Sequence, residues 1–148
     1  MRRNVALYGH SGAGKSTVAE LLAEQGYQHV RTGKACRDIC ERLFRTSAKT
    51  VLNRVTDQLR AIDPLVWLRA ALEDADPSMP MVYDSMRFPE DYQYMSENGF
   101  LLVRINIDRD TRLERLRKRG QVYDPLVDDA HQTEVGLQGR QFDFSVEN

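Results

Sequence analysis

Asn4-Val5-Ala6-Leu7-Tyr8-Gly9-His10-Ser11-Gly12-Ala13-Gly14-Lys15-Ser16-Thr17 is the stretch that decides the fold. Asn4 to Tyr8 is a short apolar run ending at Gly9, the pattern of a buried strand. Gly9 to Ser16 fits G-x-x-x-x-G-K-[ST], a match expected by chance in on the order of one per cent of chains this size. From Lys15, apolar residues recur at helical spacing (Val18, Ala19, Leu21, Leu22) until Gly26, a natural C-terminal stop. Strand, glycine turn and helix in that order form a phosphate cradle. The glycines permit a turn whose backbone N–H groups converge on phosphate oxygens, and the helix adds its positive dipole end. Ser11, Gly12, Ala13, Gly14, Lys15, Ser16 and Thr17 are the residues expected to hold the nucleotide. Lys15 is placed to reach the β- and γ-phosphates, and the Ser16 hydroxyl to ligate Mg²⁺.

Working outward, strand and helix patterns alternate along the whole chain. Tyr27 to Val30 reads as a second strand. Helices are expected over Arg37 to Phe44 and Thr50 to Ala61. Asp63-Pro64 reads as an N-cap followed by proline at the first helical position, opening a helix through Trp67 toward Leu72. Met81 to Tyr83 is a strand pattern ending at Asp84. Pro89 opens a helix closed by Asn98-Gly99, and Phe100 to Ile107 is the clearest strand. A helix from about Asp110 to Gly120 follows, then a polar, loop-rich stretch from Gln121 to Gln141, then a last short strand from Phe142 to Val146. This alternation predicts an α/β fold built on a parallel sheet. No repeat or linker-like stretch interrupts it, so residues 1–148 read as a single domain.

Composition narrows the class. The chain has 148 residues, 41% hydrophobic and 29% charged, with 21 Lys and Arg against 22 Asp and Glu. That is about one domain with enough apolar residues for a core. The balanced charge removes the usual electrostatic case for nucleic-acid binding. No apolar run approaches the roughly 20 residues that span a bilayer. The two cysteines, Cys36 and Cys40, cannot make a disulfide framework and read as small buried thiols. His10, His29 and His131 lack ligand spacing, and Trp67 reads as a core anchor. The expectation is a cytosolic protein, with its oligomeric state left open, a homodimer included.

No N-K-x-D guanine-reading motif is present, which makes ATP the expected nucleotide. A motor or AAA-type ATPase is expected to need more chain than this, which leaves mainly small kinases. A kinase acting on a hydroxyl usually needs a carboxylate to take the proton. One acting on a phosphate does not, because that group is already anionic at neutral pH. Arg31-Thr32-Gly33-Lys34-Ala35-Cys36-Arg37 offers bases on the acceptor side, favouring a phosphorylated acceptor. On the helix from Asp110, Arg112, Arg115 and Arg119 fall within a sector of roughly 60°, beside Leu113 and Leu116 on the core side. Such a stripe can line a cleft and neutralise a transferring phosphoryl group. Asp84, ending a strand, is a candidate to orient Mg²⁺ through a water. Arg87 lies on the loop after that strand, at the end where parallel sheets bind ligands. Two other readings stay open: a kinase of a hydroxyl-bearing small molecule with Asp84 as base, and a nucleotide-binding module without turnover.

Several segments resemble the nucleoside monophosphate kinases, most closely the phage-type deoxynucleoside monophosphate kinases. Arg31 to Arg37 is similar to the adenylate-kinase T-G-x-x-x-R segment. Val51 to Arg60, with Trp67, resembles the family's L-Q-x-x-G-T-x-x-x-R…W stretch, with Val55 at the position of its glycine. Asp84-Ser85-Met86-Arg87-Phe88-Pro89-Glu90 is similar to D-x-R-F-P-N-E, with one residue more between acid and arginine. Asp129 to Glu134 resembles a D-x-H-x-S-E element, and Phe142 to Asn148 the final strand. The resemblance implies a P-loop NTPase fold: five parallel strands in the order 2-3-1-4-5 with helices on both faces. It implies an acceptor-binding helical segment at about 33–75 and a lid-like segment at about 112–141. It further implies transfer from ATP, with Mg²⁺, to a (deoxy)nucleoside 5′-monophosphate. Thr32, Arg37, Arg60 and Arg87 would hold the acceptor, Lys15, Arg115 and Arg119 would be catalytic, Arg112 would contact the nucleotide, and Ser16 and Asp84 would serve the metal.

Overall fold

The computed structural model describes residues 2–120, 124, 126 and 136–148. Its elements in chain order are β1 (Val5–Tyr8), α1 (Lys15–Glu24), β2 (Gln28–Val30), α2 (Gly33–Phe44), α3 (Lys49–Ile62), α4 (Val66–Glu73), β3 (Met81–Tyr83), α5 (Pro89–Glu97), β4 (Leu101–Asn106), α6 (Arg109–Lys118) and β5 (Phe144–Glu147). The five strands form one sheet in the order β2-β3-β1-β4-β5. This is the 2-3-1-4-5 parallel α/β architecture expected from the alternation and the resemblance. No helix among the described residues is long and apolar enough to cross a membrane. The chain divides into two compact units, Met1–His29 with Ser78–Asn148, and Val30–Pro77.

In the first unit β1 is central, and all four of its residues are buried. It pairs in parallel with β3 (Val5 opposite Val82) and with β4 (Val5 opposite Leu101, Tyr8 opposite Arg104). Because side chains alternate along a strand, Val5 and Leu7 share a face. They pack with Ala13, Ala19, Val82, Val103 and Ile105, and with Val18 and Leu22 of α1. Burying each larger aliphatic side chain there contributes roughly 1.5–3 kcal/mol. Tyr8 instead stacks on Phe142 at 5.4 Å between ring centroids. Arg104 lies over the Tyr8 ring at 5.8 Å.

The outer strand β5 is exposed at all four residues, so hydrogen bonds rather than burial hold it. It runs parallel to β4, from Val103 opposite Phe144 to Asn106 opposite Glu147. At one end the Asp143 N–H donates to the Leu102 carbonyl (2.9 Å) and the Leu102 N–H donates to the Asp143 carboxylate (2.8 Å). At the other the Asn148 N–H donates to the Asn106 carbonyl at 2.8 Å. α5 starts at Pro89, as its sequence implies, with Glu90 and Asp91 in the first turn. α6 is capped by Asp108, whose side chain accepts from the Asp110 and Thr111 N–H groups, both at 3.1 Å. A bond from the Thr111 side chain, with the bond from its N–H, holds the Asp108 carboxyl below its ordinary range.

The second unit contains α2, α3 and α4. Buried Cys36, Cys40 and Trp67 form its centre, with Val51, Leu52, Val55 and Leu59 packed around them. The Cys36 thiol lies 3.6 Å from the Leu52 carbonyl and 3.3 Å from the Thr56 hydroxyl. The Trp67 indole N–H donates to the Thr56 carbonyl at 3.3 Å. Burial, reinforced by Cys36, pushes the Cys40 thiol up. Both cysteines and the tryptophan therefore take the packing roles their sequence context implied.

Two helix starts differ from expectation. α2 begins at Gly33, about one turn before Arg37. α4 begins at Val66 rather than at Pro64. Asp63 explains the second difference. Its carboxylate accepts from the Leu65 N–H at 3.0 Å and pairs with Arg69, while its carbonyl accepts from the Val66 N–H at 3.0 Å. These bonds make a turn over Asp63 to Val66, a local alternative to immediate helix entry. Most of the loop-rich segment expected at 121–141 lies outside the described residues, as do His131 and the segment Asp129 to Glu134.

Candidate functional site

The loop between β1 and α1 is shaped by its own carbonyls. The Ala13 N–H donates to the His10 carbonyl at 3.0 Å, closing a turn, and the Val18 N–H donates to the Gly14 carbonyl at 3.0 Å, starting the helix. The Lys15 ammonium donates to the Gly9 carbonyl and to the His10 carbonyl, the latter at 3.2 Å. Gly9 has to be glycine for reasons of space: a Cβ there would lie 2.8 Å from the Ile105 carbonyl oxygen. Gly14 has φ of 100°, and a Cβ there would collide with the side-chain amide of Asn148.

This loop opens onto a cavity of about 180 Å³ lined by His10 to Ser16 together with Arg87 and Arg119. Backbone amides of a glycine loop, a helix N-terminus, one ammonium and two guanidiniums thus converge on a single space. The charged side chains among these residues, Lys15, Arg87 and Arg119, are all cationic. Such a space suits a polyphosphate. Ser16 and Thr17 lie exposed in the first turn of α1, and Arg115 is half-buried. The Arg115 guanidinium lies 3.6 Å from the position a Gly14 Cβ would take.

Arg112 has a different environment from its neighbours in the stripe. It is 4% exposed and donates to the Ser11 carbonyl at 3.2 Å. It is thus tied to the backbone of the phosphate loop. Leu116 is buried as expected for the core side of the helix, and Leu113 is half-buried. Glu114 pairs with Arg117 at 2.6 Å on the exposed side. That pairing holds the Glu114 carboxyl below its ordinary range.

Asp84 follows β3 directly and is 9% exposed. One carboxylate oxygen accepts from His29 at 2.8 Å and the other from the Ser85 hydroxyl at 3.0 Å. Two of its roughly four lone-pair sites are thereby taken. The Ser16 hydroxyl and the Asp84 carboxylate are both oxygen donors of the kind that Mg²⁺ takes. Among the described residues no group of three His, Cys, Asp or Glu is arranged to hold a metal.

In the helical unit Thr32 precedes α2 and is half-buried, Arg37 is exposed on α2, and Arg60 is half-buried near the end of α3. The Arg37 guanidinium comes within 3.0 Å of the position a Gly33 Cβ would occupy. Lys34 pairs with Asp38 at 2.7 Å one turn on, which raises the Lys34 pKa.

Two residues of the site carry no local sequence signal. His29 matters as the partner of Asp84, and a histidine in a strand gives no hint of that. Asn148 donates its side-chain amide to the Ala13 carbonyl at 2.7 Å, across 135 positions of sequence. Only the sheet order, which sets β5 beside β4 and β4 beside β1, could have placed it there.

Fold and cradle together define a P-loop nucleotide-binding protein. Residues 5–125 match the AAA_18 family, described as an AAA domain, and the chain belongs to that family. The chain is 29% identical over 124 residues to a UPF0200 protein of Pyrobaculum aerophilum, covering 82% of this chain and 69% of that one. Its fold is similar to that of TT1252 from Thermus thermophilus (TM-score 0.64, 19% identity, 99% of this chain and 90% of that one). It is also similar to that of a gluconokinase from Sinorhizobium meliloti (TM-score 0.61, 22% identity, 99% and 84%).

Proposed function

We propose that the protein is a phosphotransferase that moves the γ-phosphoryl group of ATP to a (deoxy)nucleoside 5′-monophosphate, as the phage-type deoxynucleoside monophosphate kinases do. The observation that carries this reading is the convergence of Arg87 and Arg119 on the cavity formed by the phosphate loop. A cradle for one nucleotide needs the loop and Lys15. Two further guanidiniums suit a site that must bring a second anion close to the first.

In this reading the loop amides and Lys15 hold the β- and γ-phosphates. Arg119 and Arg115 take up the charge that develops on the transferring group, a role in which one arginine can supply about 10³–10⁵ in rate. Arg87 holds the acceptor phosphate; Thr32, Arg37 and Arg60 match the residues that bind the acceptor nucleotide in the kinases the chain resembles. An acceptor phosphate oxygen bonds to the γ-phosphorus as the bond to the bridging oxygen breaks, leaving ADP. No general base is needed, because the acceptor oxygen is already anionic. Mg²⁺ bound by Ser16, and by Asp84 through water, would neutralise charge between the β- and γ-phosphates.

The likeness to a gluconokinase favours one second reading, a hydroxyl-bearing acceptor with Asp84 as base. Both carboxylate oxygens of Asp84 are already engaged, by His29 and by the Ser85 hydroxyl, whereas a general base needs an oxygen turned to the acceptor hydroxyl. A coupled ADP-release assay across ribo- and deoxyribonucleoside monophosphates, with gluconate as a hydroxyl control, separates them. ADP release that depends on a monophosphate is expected. Release with gluconate alone would overturn the proposal, and nucleotide binding without release would mark a module that does not turn over.

A further inference from the structure

Asn148 follows the exposed strand β5, yet it is fixed in two ways. Its backbone N–H donates to the Asn106 carbonyl, extending the β4–β5 ladder by one rung. Its side-chain amide donates to the Ala13 carbonyl at 2.7 Å. The acceptor belongs to the Ala13–Gly14 peptide, in the middle of the phosphate loop. A trans peptide is planar, with its N–H directed opposite to its C=O. Whatever fixes the Ala13 carbonyl therefore also aims the Gly14 N–H. Gly14 lines the cavity with Lys15 and Arg119, so that N–H is one of the donors a bound polyphosphate would meet.

We propose that Asn148 is a positioning residue for the phosphate cradle: its side-chain amide anchors the Ala13 carbonyl and so aims the Gly14 N–H into the cavity. This rests on the nucleotide-binding reading above. It also gives Gly14 a second reason to be glycine. Besides adopting a φ of 100°, it leaves the room that the Asn148 amide fills, since a Cβ there would collide with Nδ2. Arg112 makes the parallel contact two peptides earlier, donating to the Ser11 carbonyl at 3.2 Å and thereby aiming the Gly12 N–H. The loop is thus held at two alternate carbonyls by two segments remote in sequence, one from α6 and one following β5.

Asn148→Asp is the sharp test, because it keeps the shape and replaces the donor with an oxygen that repels the Ala13 carbonyl. Asn148→Ala removes the contact without repulsion. Affinity for ATP and for inorganic tripolyphosphate, measured by calorimetry, should fall about 5- to 10-fold in Asn148→Ala, the value of one hydrogen bond. The fall should be larger in Asn148→Asp. Adenosine, which has no phosphate, should bind both variants and the parent alike. A purely structural role would instead lower all three affinities together with the melting temperature. The Gly14 amide resonance, read by NMR without ligand, should move in both variants. An unmoved Gly14 resonance, or unchanged tripolyphosphate affinity in Asn148→Asp, overturns the proposal. If the parent binds no triphosphate while the Gly14 resonance still moves, the nucleotide reading fails and the anchoring stands.

Discussion

The phosphate loop and the helical unit of residues 30–77 reach order by opposite means. In the loop, the carbonyls of Gly9, His10, Ser11, Ala13 and Gly14 all accept hydrogen bonds from within its own unit. Each bond fixes the direction of a peptide plane, so the geometry presented to a ligand is set before the ligand arrives. Preorganised donors of this kind cost no reorganisation at the moment of reaction. In the helical unit the order comes from apolar packing around Cys36, Cys40 and Trp67. Packing is not directional in that sense, and it leaves polar groups such as Arg37 on the surface. The first arrangement suits a ligand part that never varies, the polyphosphate. The second leaves surface side chains that can change without disturbing a core.

The largest expected effect tests whether the two modes of order are separable. Trp67→Ala should destabilise by about 3–5 kcal/mol, the usual cost of emptying a buried tryptophan site. Hydrogen exchange should rise in α2, α3 and α4 while the amides of β1 and the phosphate loop stay protected. Uniform acceleration throughout the chain would break the comparison and make the protein one cooperative unit.

Lys15→Ala probes the loop itself. Losing one preorganised donor to a developing charge costs about 10²–10³ in turnover, read by ADP release. The melting temperature without nucleotide should change little, since Lys15 is half-buried and its carbonyl partners can turn to water. Undiminished turnover would remove the loop from the chemistry.

The smallest effect sharpens the electrostatic side. The Asp108 carboxyl is held below its ordinary value of 3.8, mainly by bonds from Thr111. A depressed carboxyl stabilises the fold above its unfolded value and loses that contribution as pH falls through the lower folded one. Asp108→Asn keeps an acceptor for the cap but removes the charge at the N-terminus of α6. Thermal melts should show the variant slightly less stable at pH 7, with the gap closing as pH falls below 3.8. A gap independent of pH would assign the whole effect to the hydrogen bonds.

Much of this architecture is legible in sequence because its signals are local. Strand β1, the glycine loop and α1 follow from the continuous stretch Asn4 to Gly26, and Pro89 announces α5 by its own backbone constraint. The α4 start was misplaced because Asp63 has two local options, a helix cap and a turn, and the sequence does not say which bond wins. The stripe on α6 was drawn from angular spacing alone. Spacing separates one side of a helix from another, but not a guanidinium that lines the cavity (Arg119) from one buried against a carbonyl (Arg112). His29 and Asn148 lay further from reach, since each acts on a residue brought near only by strand order.

The anchoring of the loop by the residue that follows β5 has a thermodynamic corollary. Coupling between two sites is reciprocal in free energy. If a seated outer strand tightens the grip on phosphate, then phosphate must tighten the outer strand by the same factor. The least sheltered edge of the sheet thereby becomes a reporter of occupancy at its centre, legible in the exchange rates of β5 amides without any probe attached to the loop.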